Sequence, residues 1–236
     1  MSVYTQLTDD QFAAFCQRFG VSFARAIPIT QGIKNSNWFI QTTDDVDGAH
    51  SYVFTLFEER PPEDIEKMAV ILNQLDGKLP VAAPLALLDS GADSAEKGYV
   101  IRYDNKAITL VPCLAGAHPQ QTTQAMCYEI GAALAMLHET LQALQPAEEY
   151  GVPLYPWAEV RDREMQFMPG DEAKLMSDIW RAYSDLPLAT LPKGLCHLDM
   201  FADNTLWDLS LSNSQKGTAR LTGLVDFTEV SVEHYV

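Results

Sequence analysis

Apolar positions in the first part of the chain follow two different periods. Phe12, Phe15 and Phe19 recur at helical spacing behind Thr8-Asp9-Asp10-Gln11, where Thr8 is an N-cap and Gln11 the capping-box partner, and Gly20 ends the run. From Ile27 to Phe57 the period falls towards two, through Trp38-Phe39-Ile40 and Tyr52-Val53-Phe54-Thr55-Leu56-Phe57, which predicts a β-meander. Arg60-Pro61-Pro62 breaks it. Glu63 to Leu75 then reads as a helix, with Ile65, Met68, Ile71, Leu72 and Leu75 on one face. After the bend Pro80 to Pro84, short strands are expected around Ala86-Leu87-Leu88, Gly98 to Tyr103 and Ala107 to Val111, and Pro112 to Gly116 marks a strand exit.

Beyond that exit, Met126, Ile130, Leu134, Leu137 and Leu141 define a long helix from Thr122 to Leu144. Asp171 to Tyr183 is a further helix, and Trp157, Phe167 and Trp180 are expected in the core. Strand-like runs return at Thr205-Leu206-Trp207 and Leu221 to Val225, separated by a polar insert, Leu209 to Ala219.

At 236 residues, the chain is long enough for one large domain or two small lobes sharing a cleft. The hydrophobic share of 47% provides a core and argues against disorder. Sixteen Lys and Arg against 32 Asp and Glu give a formal charge of −16, with no basic cluster, which argues against nucleic acid or an anionic membrane as partner. Cys16, Cys113, Cys127 and Cys196 form no C-x-x-C pair and read as reduced, mostly buried thiols. No signal-peptide pattern and no apolar run of membrane-spanning length is present, so a soluble, cytoplasmic protein is expected.

Candidate chemistry concentrates between Gly194 and Phe227. His197-Leu198-Asp199 is followed by Asn204, five residues after the Asp, which matches the spacing of a kinase catalytic loop. The run Leu221 to Val225 then delivers Asp226-Phe227, where such enzymes hold a metal-binding Asp. Transfer of a phosphoryl group to a hydroxyl needs a carboxylate beside that hydroxyl, and oxygen ligands for the Mg²⁺ on the triphosphate. Either half of the pattern alone would equally describe a polar loop. Both halves in order, each against a strand, favour the kinase reading.

The remaining candidates follow from that template. Gly32, Lys34, Asn35, Ser36 and Asn37 form a turn placed to cover phosphates, since Gly and Asn tolerate the conformations that aim backbone N–H groups at an anion. The strand position that carries a Lys in kinases is Thr55 here, and Lys34 is either a substitute charge or a solvated surface residue. Glu66 is either the helix glutamate of the kinase pair or a surface acid. Val111 and Cys113 flank the crossing between lobes, where backbone groups read an adenine edge.

With these pieces placed, the chain resembles the aminoglycoside phosphotransferase and choline kinase-like superfamily, and within it is most similar to the homoserine kinases of that fold. The resemblance rests on Gly32 to Phe39, on Tyr52 to Glu58, where Thr-Leu-Phe-Glu stands in place of the strand Lys, and on His197 to Trp207 with Val225-Asp226-Phe227. It implies an α+β, two-lobed protein-kinase-like fold. Residues 1–111 would be the nucleotide-binding lobe, with an antiparallel sheet plus helix, and residues 112–236 a mainly helical catalytic lobe. It further implies ATP and Mg²⁺ as cofactors, L-homoserine as acceptor, Asp199 as base, His197 as brace of the loop, and Asn204 and Asp226 on the metal. Leu198 departs from the Gly usual in this loop. The family also continues beyond the point matching Val236 with further helices, so the catalytic lobe is expected to be incomplete and this stretch alone poorly stable. Another acceptor (choline, an aminoglycoside or a sugar-like alcohol), or a non-catalytic nucleotide-binding fragment, stays open at this point. Oligomeric state is not indicated.

Overall fold

The computed structural model describes residues 4–30, 34–43, 52–88, 98–153, 156–210 and 219–235. Helix α1 (Asp9–Arg18) starts as its sequence dictates: Thr8 Oγ1 accepts from the Gln11 backbone N–H at 3.3 Å, and the Gln11 side chain accepts from the Thr8 N–H at 2.9 Å. Strands β1 (Phe23–Pro28), β2 (Asn35–Thr42) and β3 (Tyr52–Phe57) form an antiparallel meander, helix α2 (Pro62–Leu75) follows, and β4 (Ile101–Tyr103) and β5 (Lys106–Pro112) complete a five-stranded sheet in the order β1-β2-β3-β5-β4.

Alternation decides what each sheet face carries. Ser36, Trp38 and Ile40 of β2, with Phe54 and Leu56 of β3, make one buried row, and Phe12 of α1 packs edge-on against Trp38 and Phe54 with centroids 5.1 and 5.2 Å away. The opposite row holds Asn37, Thr55 and Thr109, paired directly across β2, β3 and β5, with Val53 opposite Val111 in the next row. The expected strand at Ala86-Leu87-Leu88 does not form. Single hydrogen bonds from Leu85 to Leu110 and from Leu87 to Gly98 make no ladder, and Leu88 is exposed.

Past β5 come α3 (Gln124–Leu141), α4 (Trp157–Met165) and α5 (Gly170–Ser184), then β6 (Lys193–Cys196), β7 (Thr205–Asp208), β8 (Arg220–Leu224) and β9 (Ser231–His234). Strand β6 pairs with β9 and β7 with β8, both antiparallel. One core joins α2 to this second half: Ile65, Met68 and Leu72 share a buried cluster with Leu137 of α3, Leu195 of β6, Leu224 of β8 and Phe227. Neither α4 nor α5 carries a buried residue. Trp157 and Phe167, expected in the core, are exposed, and Trp180 is half-buried beneath the Arg161 guanidinium, 4.2 Å from its ring. Cys127 is likewise exposed, whereas Cys16 and Cys196 are buried thiols. Among the described residues no helix is long and apolar enough to cross a membrane.

Backbone pairings hold the β7–β8 hairpin against the segment after β5 and the segment after α2. Ala117 and Trp207 exchange both N–H···O bonds at 3.0 Å, and Leu224 N–H donates to Pro80 O at 2.8 Å. Gly116 precedes this contact at φ +127°, and a Cβ there would lie 2.3 Å from Thr222 Oγ1, so the chain must run bare past the β7–β8 hairpin.

Candidate active site

Asp199, Asn204 and Asp226 are delivered by strand ends. Asp199 lies in the loop leaving β6, Asn204 closes the 3₁₀ turn Ala202–Asn204 that enters β7, and Asp226 follows β8. A backbone bond from Val225 N–H to Asn204 O, 3.0 Å, ties the last two together. The Asn204 amide donates both to the Asp199 backbone O at 2.7 Å and to its carboxylate Oδ2 at 3.1 Å. The spacing of five residues is thus what lets one amide hold both the backbone and the side chain of Asp199.

His197 is 1% exposed and joins the two halves of the motif. Its Nδ1 accepts from the Asp199 N–H at 3.3 Å, so the proton sits on Nε2, which donates to Val225 O at 3.1 Å. Its ring meets Phe227 edge-on, centroids 4.6 Å apart. Burial pushes the imidazole below its ordinary pKa, against the opposite pull of the Val225 bond and of Asp226 and Asp199, and this keeps it neutral. A pH consequence follows. A histidine with a depressed folded pKa contributes stability that is fully present above its unfolded value, 6.5, and lost as pH falls through the folded value. Stability measured by denaturant should therefore fall as pH drops below 6.5, and His197→Gln should flatten that slope by up to about 1.4 kcal/mol per pH unit. An unchanged slope would contradict the neutral assignment.

Leu198 and Asp226 both stand at left-handed backbone angles, φ +64° and +60°. Glycine adopts such a backbone without penalty, whereas Leu198, 44% exposed, recovers little by packing. The left-handed conformation costs an L-residue about 1–2 kcal/mol, partly offset by the ~0.5–1 kcal/mol of backbone entropy a glycine gives up. Leu198→Gly should thus stabilise the fold by roughly 0.5–1 kcal/mol in denaturant unfolding. Destabilisation of that size would show that the exposed Leu packs more usefully than its exposure implies.

The donor set suits a hard cation. With the Asn204 nitrogen turned to Asp199, its Oδ1 faces away from that bond, and Asp226 Oδ1 accepts from Thr228 Oγ1 at 2.5 Å, leaving Oδ2 as the second oxygen. Among the described residues no three His, Cys, Asp or Glu side chains converge on a metal cage. Mg²⁺ does not require one, because it takes one or two protein oxygens and completes its shell with water and phosphate.

The other candidates divide. Asn37, Thr55 and Val111 come together on the sheet face opposite α1, where Thr55 Oγ1 donates to Asn37 Oδ1 at 2.8 Å. Asn35 is the first residue of β2 and Cys113 follows β5 half-buried, its thiol pKa raised by burial. Gly32 lies outside the described residues. Ser36 corrects the expected turn: it belongs to β2 on the buried face, fully enclosed, and donates to Glu58. Glu58 also receives Thr5 and Lys106, and although burial raises its carboxyl pKa, these partners bring it below the usual carboxylate value. Glu66 is neither half of a lysine pair nor a free surface acid. It accepts from the Tyr99 N–H at 3.3 Å, pinning the approach to β4, and burial raises its pKa. Lys34 is not simply solvated, since its Nζ lies 2.9 Å from Glu229, which Arg60 also holds at 2.6 Å. The sequence did not reveal the pairings of Glu58, Arg60 and Glu229, whose partners lie far away in the chain.

A family model described as "Phosphotransferase enzyme family" matches residues 25–236. The homoserine kinase of Neisseria meningitidis serogroup B is 32% identical over 231 residues, 96% of this chain and 68% of that protein. The homoserine kinase of Ralstonia pickettii is 30% identical over 244 residues, 100% of this chain and 69% of that protein. The chain thus spans about two thirds of the length of these relatives. Among solved structures, the GDP complex of wild-type aminoglycoside 2'-phosphotransferase-IIIa superposes with a TM-score of 0.64 at 16% identity, covering 97% of this chain and 75% of that one. Spectinomycin phosphotransferase with ADP and spectinomycin gives 0.58 at 16% identity, covering 97% and 71%. With its antiparallel sheet and its helices, the chain belongs to the phosphotransferase enzyme family, as a small-molecule kinase of the α+β, protein-kinase-like fold.

Proposed function

We propose that the protein transfers the γ-phosphoryl group of ATP to the hydroxyl of L-homoserine, giving O-phospho-L-homoserine and ADP, a step toward threonine. The observation that carries the chemistry is the Asn204 amide bound to both the backbone O and the carboxylate of Asp199, with Asp226 held beside it through the Val225–Asn204 bond. The acceptor rests on the relatives of 32% and 30% identity, both named homoserine kinase. The likeness to aminoglycoside enzymes, at 16% identity, speaks for the fold alone.

Asp199 takes the hydroxyl proton as the acceptor oxygen attacks the γ-phosphorus, while the bond to the β-phosphate oxygen breaks and ADP departs. Its geometry is set in advance by Asn204, so no reorientation is needed as the transition state forms. Neutral His197 holds the Asp199 N–H and Val225 O in register without adding charge beside the base. Asn204 Oδ1 and Asp226 would hold Mg²⁺, which neutralises charge on the triphosphate. The sheet face with Asn37, Thr55 and Val111, and the exit at Cys113, would receive the nucleotide.

ADP release measured against L-homoserine, choline, kanamycin and a sugar alcohol tests the acceptor. Turnover dependent on L-homoserine and at least about tenfold weaker with the others is expected, because a site built to pair an acceptor's polar groups leaves them unpaired with analogues. Preference for another acceptor would keep the kinase and overturn the substrate.

A further inference from the structure

Three segments meet at one carboxylate beside the candidate metal turn. Glu229 lies three residues after Asp226, in a turn seated by buried Phe227, Thr228 and Val230. Its Oε1 receives Lys34, which enters β2, and its Oε2 receives Arg60, which follows β3 on the way into α2. Since Asn35 pairs with Phe57, both cations leave the same end of the β2–β3 hairpin. Exposure grades the three: the Glu229 side chain is 14% exposed, Arg60 21% and Lys34 57%.

That arrangement answers a deficit elsewhere in the site. Kinases grip nucleotide phosphates with a strand lysine held by a helix glutamate. Here Thr55 offers a neutral hydroxyl already bonded to Asn37, and Glu66 is taken by the Tyr99 N–H. A nucleoside triphosphate brings several negative charges to a chain of formal charge −16, so cationic side chains placed beside the Mg²⁺ oxygens would favour its binding. Two cations meet on one carboxylate there, and their donors already converge on oxygen atoms.

Resting on the reading that this site binds Mg-ATP, we propose that Lys34 and Arg60, assembled on Glu229, supply the cationic contact to the nucleotide's terminal phosphates that position 55 lacks. Lys34, the exposed member, exchanges Glu229 for a phosphate oxygen. Arg60 keeps Glu229 and offers the phosphates its remaining N–H donors, which a planar guanidinium can do and a single ammonium cannot do as well. Glu229 is a positioning residue in this scheme and touches no nucleotide.

Calorimetric titration of the protein with ATP and AMP in Mg²⁺ tests the assignment, alongside melting curves. Lys34→Ala and Arg60→Ala should each weaken ATP by about tenfold, the scale of a lost charge-assisted hydrogen bond, and AMP by less than about twofold. Arg60→Lys, which keeps the charge and guards against a misfolded Ala variant, should recover part of the ATP affinity. ATP and AMP weakened in parallel, or a lowered melting temperature with ATP affinity intact, would make the cluster a latch between the hairpin and the Asp226 turn and overturn the inference alone. A wild-type protein that binds neither nucleotide would overturn the kinase reading with it.

Discussion

Replacement of Asp199 by Asn is expected to abolish phosphoryl transfer and leave Mg-ATP affinity within about twofold of wild type, because only a group used as the transition state forms is lost. The structure makes this substitution clean. Asn204 bonds the Asp199 backbone O at 2.7 Å and the side-chain Oδ2 at 3.1 Å, and an asparagine oxygen can accept the second bond as the carboxylate does. What disappears is basicity. General-base catalysis contributes about 10²–10⁴-fold, so kcat should fall by at least about 10²-fold with binding preserved. Nucleotide titration and turnover on the same preparation would check it, and a variant retaining near-normal kcat would remove Asp199 from the base role.

The second large effect is expected at the proposed metal oxygens. Asp226 stands at φ +60°, a conformation Asn tolerates and most other side chains resist, so Asp226→Asn removes charge without adding backbone strain. The Mg²⁺ concentration needed for half-maximal nucleotide binding should rise at least about tenfold, since even ligand-supporting groups typically cost 10–100-fold. Asn204→Ala should do more. It deletes an oxygen from the proposed metal site and also releases Asp199, so kcat at saturating Mg²⁺ should stay depressed, whereas Asp226→Asn should recover much of its rate. Identical recovery of both variants would mean that the Asn204–Asp199 bond does not position the base.

The sequence made legible what depends on neighbours a few residues away. Thr8 and Gln11 carry the start of α1 between them, and the stripe from Met126 to Leu141 falls within α3 (Gln124–Leu141). The order His197, Asp199 and Asn204 was readable because one short loop brings them together, and Asp226 because it follows a strand-like run, β8, which pairs with the strand that Asn204 enters. Contacts across long chain separations were not readable. Lys34 and Glu229 are 195 residues apart, and Arg60 and Glu229 169, so no local pattern announces that they share a carboxylate. Ser36 was read as part of a turn because Gly, Asn and Ser cluster there, yet its pairing with Leu56 places it in β2 with its side chain toward the core. Trp157 and Phe167 illustrate the same limit. Aromatic character predicts a preference for burial, but α4 and α5 bury no residue among those described. Glu66 shows a finer version, because its acidity was visible and its partner, a backbone N–H at Tyr99, was not.

A single-turnover experiment tests the central claim most directly. The protein is mixed with ATP labelled at the γ-phosphate, Mg²⁺ and L-homoserine, and the labelled product is identified by mass spectrometry. Label should pass to the homoserine hydroxyl as a phosphate ester with the wild-type protein and remain on ATP with Asp199→Asn. Label released only as inorganic phosphate, or transferred equally well by both proteins, would contradict the account.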